Sequence, residues 1–234
     1  MINIHALHGF LGLPSDWKAF NFESCYSHDF AQPEIAPCHD GFWGWAKRFN
    51  QYITSQNNLL MGYSMGGRLA LHALLDQPEK WKAAVIISAN PGIQSIEQKA
   101  ARINADREWA DRFMHEPWQR LLKAWNNQDV FKGKQFPLSR HEHEFSRAHL
   151  SLLLTTFSLG LQEDLTLLMH QLNLPILWIC GQQDSKFLEL SKKINFFHKL
   201  SKVKTVEEAG HRVPWERPQQ FKKLVQSFIS EVYS

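Results

Sequence analysis

The stretch NLLMGYSMGGR, residues 58–68, decides the fold of this chain. It opens on a short apolar run, and residues 65–76 have the composition of a helix that ends before Pro78. The pentapeptide Gly62-Tyr63-Ser64-Met65-Gly66 matches G-x-S-x-G, in which small residues let a strand turn sharply into a helix and expose the serine hydroxyl. The stretch therefore predicts a strand, a nucleophile at Ser64 and a helix. The alternative is a glycine-rich turn without catalysis.

Further apolar runs alternate with helical patterns on both sides of this stretch. Strands are predicted at residues 2–7, 33–36, 58–62, 83–88, 175–180 and 203–206. A helix carrying Trp43, Trp45, Phe49 and Ile53 and a final amphipathic helix with Phe221, Val225 and Phe228 are predicted around them. This alternation predicts an α/β fold, with a mostly parallel sheet covered by helices on both faces.

Residues 95–170 differ from the rest in having helical patterns and many charges but no convincing strand. Ser95 and Gln98 form a capping-box pattern at the start of this segment. Helical spacing then places Arg102, Asp106, Trp109 and Phe113 on one face. We therefore predict a core at residues 1–94 and 171–234, with an inserted helical cap at residues 95–170.

The predicted nucleophile needs a base and an acid, and both occur downstream in the expected order. A serine hydroxyl is a weak nucleophile at neutral pH and needs an imidazole, for which His211 in Ala209-Gly210-His211 is the best candidate. Asp184, in the turn after the strand at residues 175–180, would orient that imidazole. The order Ser, Asp, His is that of the α/β-hydrolase fold. A turn-capping role is the alternative for Asp184, and Glu207 and Glu208 are the fallback acids.

Two backbone amides are predicted to form the oxyanion hole. Met65 directly follows the serine at the start of a helix, and Phe10 follows the turn His8-Gly9 after the first strand. Amides at these positions would point to an oxygen that becomes negatively charged in the transition state.

Composition excludes several other classes of function. The chain has 234 residues, 44% hydrophobic and 21% charged, and a net charge of only +3 with scattered Lys and Arg, so we expect neither nucleic acid nor membrane as a partner. The three cysteines have no metal-ligand spacing, and no signal peptide or membrane span is recognised. We therefore expect a cytoplasmic protein with reduced thiols. His141, His143 and His149 lack zinc-site spacing, so no metal is expected.

The motifs together resemble the MenH family of menaquinone biosynthesis. They are LHGFLG at residues 7–12 with Asp16-Trp17, the serine turn, Asn90-Pro91-Gly92, GQQDSKF at residues 181–187 and Ala209-Gly210-His211. The chain departs from larger relatives in lacking an opening hairpin before the first strand, which implies a smaller sheet. The resemblance also extends into the cap.

The resemblance implies a lyase rather than a hydrolase. It implies elimination of pyruvate from 2-succinyl-5-enolpyruvyl-6-hydroxy-3-cyclohexene-1-carboxylate without a cofactor, after Ser64 and His211 remove a ring proton. The partner is then a small anionic polycarboxylate. Substrate-binding residues implied by the family are Tyr63, Arg68, Arg102 and Trp125. A further cap arginine would be Arg140 or Arg147. Arg68 could instead be a surface residue, Arg102 a helix partner of Asp106, and Trp125 simple packing.

Two other functions remain open from the sequence. A carboxylesterase or thioesterase, for example one acting on a pimeloyl-carrier-protein methyl ester, would use Ser64 as a true nucleophile and would have a carrier protein as partner. A non-enzymatic binding protein on the same scaffold is the second, although such a protein would be expected to lose part of the triad.

Overall fold

The computed structural model describes residues 2–132, 134 and 136–233, which form one six-stranded sheet. The strands are β1 (Asn3–Leu7), β2 (Cys25–His28), β3 (Asn58–Tyr63), β4 (Trp81–Ile87), β5 (Ile176–Gly181) and β6 (Lys202–Val206). Their order is β2-β1-β3-β4-β5-β6, and every neighbouring pair is parallel. The predicted α/β-hydrolase architecture is confirmed.

Helices connect these strands, as parallel pairing requires. They are α1 (Gly41–Tyr52), α2 (Met65–Asp76), α3 (Ile96–His115), α4 (Trp118–Asn126), α5 (Arg147–Thr156), α6 (Thr166–Met169), α7 (Ser185–Ser191), α8 (Val213–Glu216) and α9 (Pro218–Val232). Short 3₁₀ helices lie at Pro14–Phe20, Pro78–Lys80 and Glu142–Glu144. Among the described residues, no helix combines the length and apolar character that a membrane crossing requires.

Strand β3 shows how the sheet separates two apolar layers. Successive side chains of a strand point to opposite faces. Leu59 and Met61 pack in the layer that contains Phe221 of α9. Leu60 packs in the other layer, with Leu69 of α2. Both faces of the sheet are therefore covered, which explains why the β3 sequence is continuously apolar rather than alternating.

The prediction of a second strand at residues 33–36 is wrong. Residues 33–35 form a turn, and the second strand lies earlier, at Cys25–His28. Pro33 has no N–H to donate to a sheet, and Ile35 is buried because it packs beneath α1, where Trp45 Nε1 donates to its carbonyl at 2.8 Å. The true strand was missed because β2 is a short edge strand of mostly polar sequence, without the apolar run of a central parallel strand.

In its described part, the segment between β4 and β5 consists of helices α3 to α6, the 3₁₀ helix Glu142–Glu144 and loops. Ser95 caps α3 by accepting the Gln98 N–H at 3.2 Å, as the capping pattern predicted. Helices α3 and α5 pack against each other. This helical segment is the one predicted as a cap, and its division from the core at residues 95 and 170 stays a prediction.

The strand order identifies the edge of the sheet where a site is expected. The chain runs outward from β1 to β2 and then in the opposite direction from β3 to β6, so the reversal lies between β1 and β3. Ligands of open parallel sheets bind at the carboxyl ends of the strands beside such a reversal. Phe10 follows β1, Ser64 follows β3, Asp184 follows β5 and His211 follows β6. All four therefore lie at the same edge.

Candidate active site

Ser64 occupies a strained turn between β3 and α2. Its φ of 52° and ψ of −111° are rarely adopted by residues other than glycine, and its N–H donates to the Ile87 carbonyl at 2.8 Å. The flanking glycines make the turn possible. A Cβ on Gly62 would lie 2.4 Å from the Gly66 carbonyl oxygen, and one on Gly66 would lie 2.4 Å from that of His8. The sequence pattern therefore reflects a steric requirement at both positions.

The structure brings the three predicted triad side chains together. His211 Nε2 lies 3.1 Å from Ser64 Oγ, and His211 Nδ1 lies 2.6 Å from Asp184 Oδ2. Asp184 and His211 are buried, whereas Ser64 is half-buried. The fallback acids Glu207 and Glu208 are both exposed. The arrangement is therefore one in which a carboxylate can orient the imidazole and the imidazole can accept the serine proton.

Aromatic rings surround the imidazole of His211. The ring centroid of Phe187 lies 4.5 Å from that of His211, and those of Tyr63 and Phe131 lie at 5.6 and 5.7 Å. These contacts restrict rotation of the imidazole and exclude water from its faces. The resulting apolar enclosure strengthens the hydrogen bonds of the triad.

Two cavities meet at the serine. The larger has a volume of about 300 Å³ and is lined by Tyr63, Asn126, Arg140 and Arg212, among others. The smaller has a volume of about 130 Å³ and is lined by Arg68, Arg102, Lys186 and His211, among others. Ser64, Phe10, Trp125 and Phe131 line both cavities. A ligand that reacts at Ser64 therefore has space on two sides of the hydroxyl.

Three cationic side chains line the smaller cavity. Arg68 is buried, and its described side-chain hydrogen bond is to a neutral acceptor, Gln162 Oε1 at 3.3 Å. Burial, with a smaller contribution from Arg102, lowers the pKa of Arg68 to about 9. Arg102 pairs with Asp106 at 2.8 Å. Desolvation is the main cause that lowers the pKa of Lys186, and the positive charge of Arg102 is the second. Arg68 is buried, Arg102 is half-buried and Lys186 is exposed, and the carboxylate of Asp106 also lines the cavity. The three cations outnumber that one carboxylate, which favours an anionic ligand.

The structure is compatible with both roles considered for Arg102, and its role in binding substrate stays a prediction. Arg102 pairs with Asp106, as helical spacing predicted, and it also lines the smaller cavity. Arg68 is not a surface residue, since only 8% of it is exposed.

The two predicted oxyanion-hole residues both line the smaller cavity beside Ser64. Gly9 explains how Phe10 comes so close, because a Cβ there would lie 2.8 Å from the Tyr63 ring and 3.4 Å from Ser64 Cβ. The loop that follows β1 thus packs directly on the turn that carries Ser64. The role of the Phe10 and Met65 amides in holding an oxyanion stays a prediction.

Tyr63 and Trp125 lie where a pocket role was predicted. Tyr63 is buried, packs edge-on against Trp215 with a centroid distance of 4.9 Å, and has a pKa raised chiefly by burial, so it stays protonated. Trp125 lies 4.7 Å from Phe10 between ring centroids. It therefore packs in the interior and borders both cavities, so its two predicted roles are compatible.

The two candidate cap arginines differ in position. Arg140 lines the larger cavity, but it forms a buried ion pair with Asp16 at 2.5 Å and donates to the Leu11 carbonyl at 2.6 Å. Arg147 lines neither cavity, because it donates to Glu142 and to the backbone carbonyl of Phe113. Arg140 is therefore the cap arginine at the site, where it also fixes the loop after β1.

The site contains residues to which sequence reasoning gave no role. Lys186 belongs to the motif at residues 181–187, and Arg212 directly follows His211, so their positions were a usable signal. Phe187 ends the same motif, but nothing in the sequence distinguishes its ring, or that of Phe131, from a core phenylalanine. Among the described residues, no group of three His, Cys, Asp or Glu side chains could hold a metal ion.

Residues 45–218 match the sequence profile of the family described as "Serine aminopeptidase, S33". The chain belongs to this family. It is therefore an enzyme of the α/β-hydrolase fold, in agreement with the serine turn and the triad geometry of this S33 member.

Individual relatives carry a more specific name. The chain is 29% identical over 242 residues to a Yersinia pestis (strain Pestoides F) protein named 2-succinyl-6-hydroxy-2,4-cyclohexadiene-1-carboxylate synthase, covering 96% of this chain and 86% of the relative. A Bacillus subtilis protein with a putative assignment to the same activity is 29% identical over 180 residues, 74% of this chain and 66% of the relative. The predicted resemblance to the MenH family is confirmed.

A solved structure shows the same fold. MenH from S. aureus superposes with a TM-score of 0.83 and 19% sequence identity, covering 100% of this chain and 95% of the other.

Proposed function

We propose that this enzyme is a lyase that eliminates pyruvate from 2-succinyl-5-enolpyruvyl-6-hydroxy-3-cyclohexene-1-carboxylate to give 2-succinyl-6-hydroxy-2,4-cyclohexadiene-1-carboxylate. The observation that carries the proposal is the position of Ser64, which faces the His211 imidazole at 3.1 Å and borders a cavity lined by Arg68, Arg102 and Lys186. A base beside clustered cations suits proton abstraction from a polycarboxylate. The names of the relatives support the same activity.

The reaction begins with removal of a proton. His211 Nε2 accepts the Ser64 hydroxyl proton while the serine oxygen takes the ring proton next to the succinyl ketone. Asp184 stabilises the imidazolium that forms. The electrons of the broken C–H bond pass into the ketone, whose oxygen becomes an enolate held by the Phe10 and Met65 amides.

The second step releases the leaving group. The enolate electrons return to form the conjugated ring diene, and the ring C–O bond to the enolpyruvyl group breaks. The departing enolate of pyruvate takes a proton on carbon, which restores neutral Ser64 and His211 over the cycle. No water is consumed, and no covalent bond to Ser64 forms. Tyr63, Arg68, Arg102 and Trp125 position the substrate throughout, and no cofactor takes part in the proposed cycle.

The test is the stoichiometry of the reaction catalysed by purified protein. Pyruvate, measured with lactate dehydrogenase, and the ultraviolet absorbance of the conjugated diene should appear together in a one-to-one ratio. Mass spectrometry of the enzyme during turnover should show no adduct. Pyruvate release no faster than the spontaneous rate would contradict the proposal.

An esterase is the second candidate, and membership of a hydrolase family favours it. Ser64 would then attack a carbonyl and form an acyl-enzyme, with a carrier protein as the partner of the acyl group. A burst of leaving group from an activated ester, together with an acylated Ser64, would support this candidate. The lyase proposal expects neither at a rate comparable with pyruvate release.

We propose a cytoplasmic location for the enzyme. Cys25, Cys38 and Cys180 are all free thiols, as expected in a reducing compartment. Cell fractionation with an antibody to the chain tests this location, and recovery from an oxidising compartment would contradict it.

A further inference from the structure

Arg212 occupies an unusual position for a buried cation. It directly follows His211 and precedes α8, and only 4% of it is exposed. It lines the larger cavity together with Ser64 and Tyr63. The triad mechanism gives this guanidinium no task.

The described contacts of the Arg212 side chain are to neutral groups. Nη1 donates to the Lys134 carbonyl at 2.7 Å, Nη2 donates to Asn126 Oδ1 at 2.5 Å, and the guanidinium carbon lies 3.8 Å from the Phe131 ring centroid. The Tyr63 hydroxyl is a further hydrogen-bond partner. Glu216 contacts the Arg212 backbone, whose N–H donates to Oε1 at 3.0 Å, and in the described residues no carboxylate forms an ion pair with the side chain. Its direct side-chain partners are therefore dipoles, while the Glu216 carboxylate stabilises the charge without contacting the guanidinium.

The guanidinium keeps donors for a ligand. An arginine side chain has five N–H groups, and each terminal nitrogen carries two. The carbonyl of Lys134 and the amide oxygen of Asn126 each use one terminal N–H, and the Tyr63 hydroxyl uses a third N–H, so two of the five remain. Tyr63 lines the same cavity, so its hydroxyl can donate to a group bound by Arg212. A carboxylate is the ligand that suits a planar fork beside a hydroxyl donor.

Arg140, the other arginine of the larger cavity, is different because Asp16 already neutralises it. Arg68, Arg102 and Lys186 lie in the smaller cavity, and Ser64 borders both. Cationic side chains therefore occur on two sides of the reactive hydroxyl.

The geometry points to Arg212 as a carboxylate-binding residue. Together with Tyr63 it binds one end of the substrate in the larger cavity, while the other end lies near Arg68 and Arg102 in the smaller cavity. The substrate class is then a compound with carboxylates on both sides of the reacting carbon. This inference deepens the proposed function and rests on it for the identity of the reaction, but carboxylate binding can be measured without turnover.

A purely structural role for Arg212 would be to tether the loop after α4. Lys134 provides the matched control, because its Nζ tethers the same loop to Glu216 at 2.9 Å and to Gln183 Oε1 at 2.8 Å. Lys134 lines neither cavity. A tethering role predicts similar effects of substitution at both residues, whereas carboxylate binding predicts an effect at Arg212 alone.

The experiment measures binding of tricarballylate, an unreactive tricarboxylate, by calorimetry to the wild type, R212M, R212K and K134M. We expect R212M to weaken binding about tenfold or more, R212K to weaken it less because the charge remains, and K134M to leave it unchanged. If R212M does not fold, as judged by circular dichroism, the tricarballylate affinities of R212K and K134M are compared instead. Weaker binding by R212K than by K134M then supports the inference.

Three results would overturn the inference: no binding to the wild type, wild-type affinity in the Arg212 variants, or equal weakening by K134M. Pyruvate release is measured in parallel on the wild type. Arg212-dependent binding without pyruvate release would overturn the proposed lyase reaction and leave the carboxylate site standing.

Discussion

Nδ1 of His211 lies 2.6 Å from Oδ2 of Asp184, and both side chains are buried. A carboxylate accepts hydrogen bonds only, so this contact places the imidazole proton on Nδ1 and leaves Nε2 as the acceptor that faces Ser64. The basicity of the site therefore depends on a residue that does not contact the substrate cavity at Ser64.

Replacing Asp184 with Asn tests this dependence. An amide can donate to Nδ1 and so favours the tautomer whose Nε2 carries the proton, which cannot accept from Ser64. We expect kcat to fall roughly 10³- to 10⁴-fold with little change in melting temperature. The matched control is Glu207→Gln, an exposed acid of the loop before His211, which should retain full activity. A loss of less than tenfold in D184N would show that another group orients the imidazole.

Arg68 is predicted to serve binding at the expense of stability. It is a buried cation whose described side-chain hydrogen bond is to a neutral acceptor, and burial lowers its pKa to about 9. Arg68→Met should raise KM for the polycarboxylate about tenfold or more, while the melting temperature stays the same or rises. Steady-state kinetics and thermal melting of the same preparation measure both. An unchanged KM with a lower melting temperature would assign Arg68 to packing instead.

The Asp16–Arg140 ion pair is predicted to stabilise the fold. Both side chains are buried, and Arg140 also donates to the Leu11 carbonyl in the loop that carries Phe10. Asp16→Asn leaves the arginine without a charged partner, so we expect the free energy of unfolding to fall by about 3–5 kcal/mol. Urea denaturation measures this loss. The control Asp111→Asn removes an exposed pair with His115 and should change the stability by less than about 1 kcal/mol; equal losses would contradict a special role for the buried pair.

Stability should fall in mild acid. Burial is the main cause that lowers the pKa of His5 and His72 to about 4 and that of His28 to about 3. The unfolded chain binds protons at these residues near pH 6.5, before the folded protein does, so acid favours unfolding. Their contribution is fully present above about pH 6.5 and is lost progressively as the pH falls towards 4.

Urea denaturation between pH 7.5 and pH 5 measures this dependence. The free energy of unfolding should decrease steadily with falling pH, and His72→Gln should make the decrease shallower. Replacing the exposed His39 with Gln should leave the slope unchanged. A pH-independent free energy of unfolding in the wild type would show that these histidines titrate alike in the folded and unfolded states.

The sequence predicted the parts of the site that depend on local geometry. Gly62 and Gly66 are required because backbone atoms approach them closely. The G-x-S-x-G pattern is therefore sufficient to predict the turn at Ser64. The strand at Cys25–His28 was missed because an edge strand has no continuous apolar run. The carboxyl partner of Arg140 and the side-chain partners of Arg212 were beyond prediction, since each depends on contacts between segments distant in the chain. Pairings of this kind are determined by how the helical segment between β4 and β5 packs on the rest of the chain.

The most direct test of the proposed reaction is pyruvate release by the wild type compared with Ser64→Ala and His211→Ala, all saturated with the enolpyruvyl substrate. Because both residues act in the same proton-transfer step, we expect each variant to lose roughly 10³-fold or more in kcat, and the double variant to lose no more than either single variant. Tricarballylate binding should be retained in both, which separates catalysis from folding. Wild-type release that survives either substitution would contradict the assignment of Ser64 and His211 as the base.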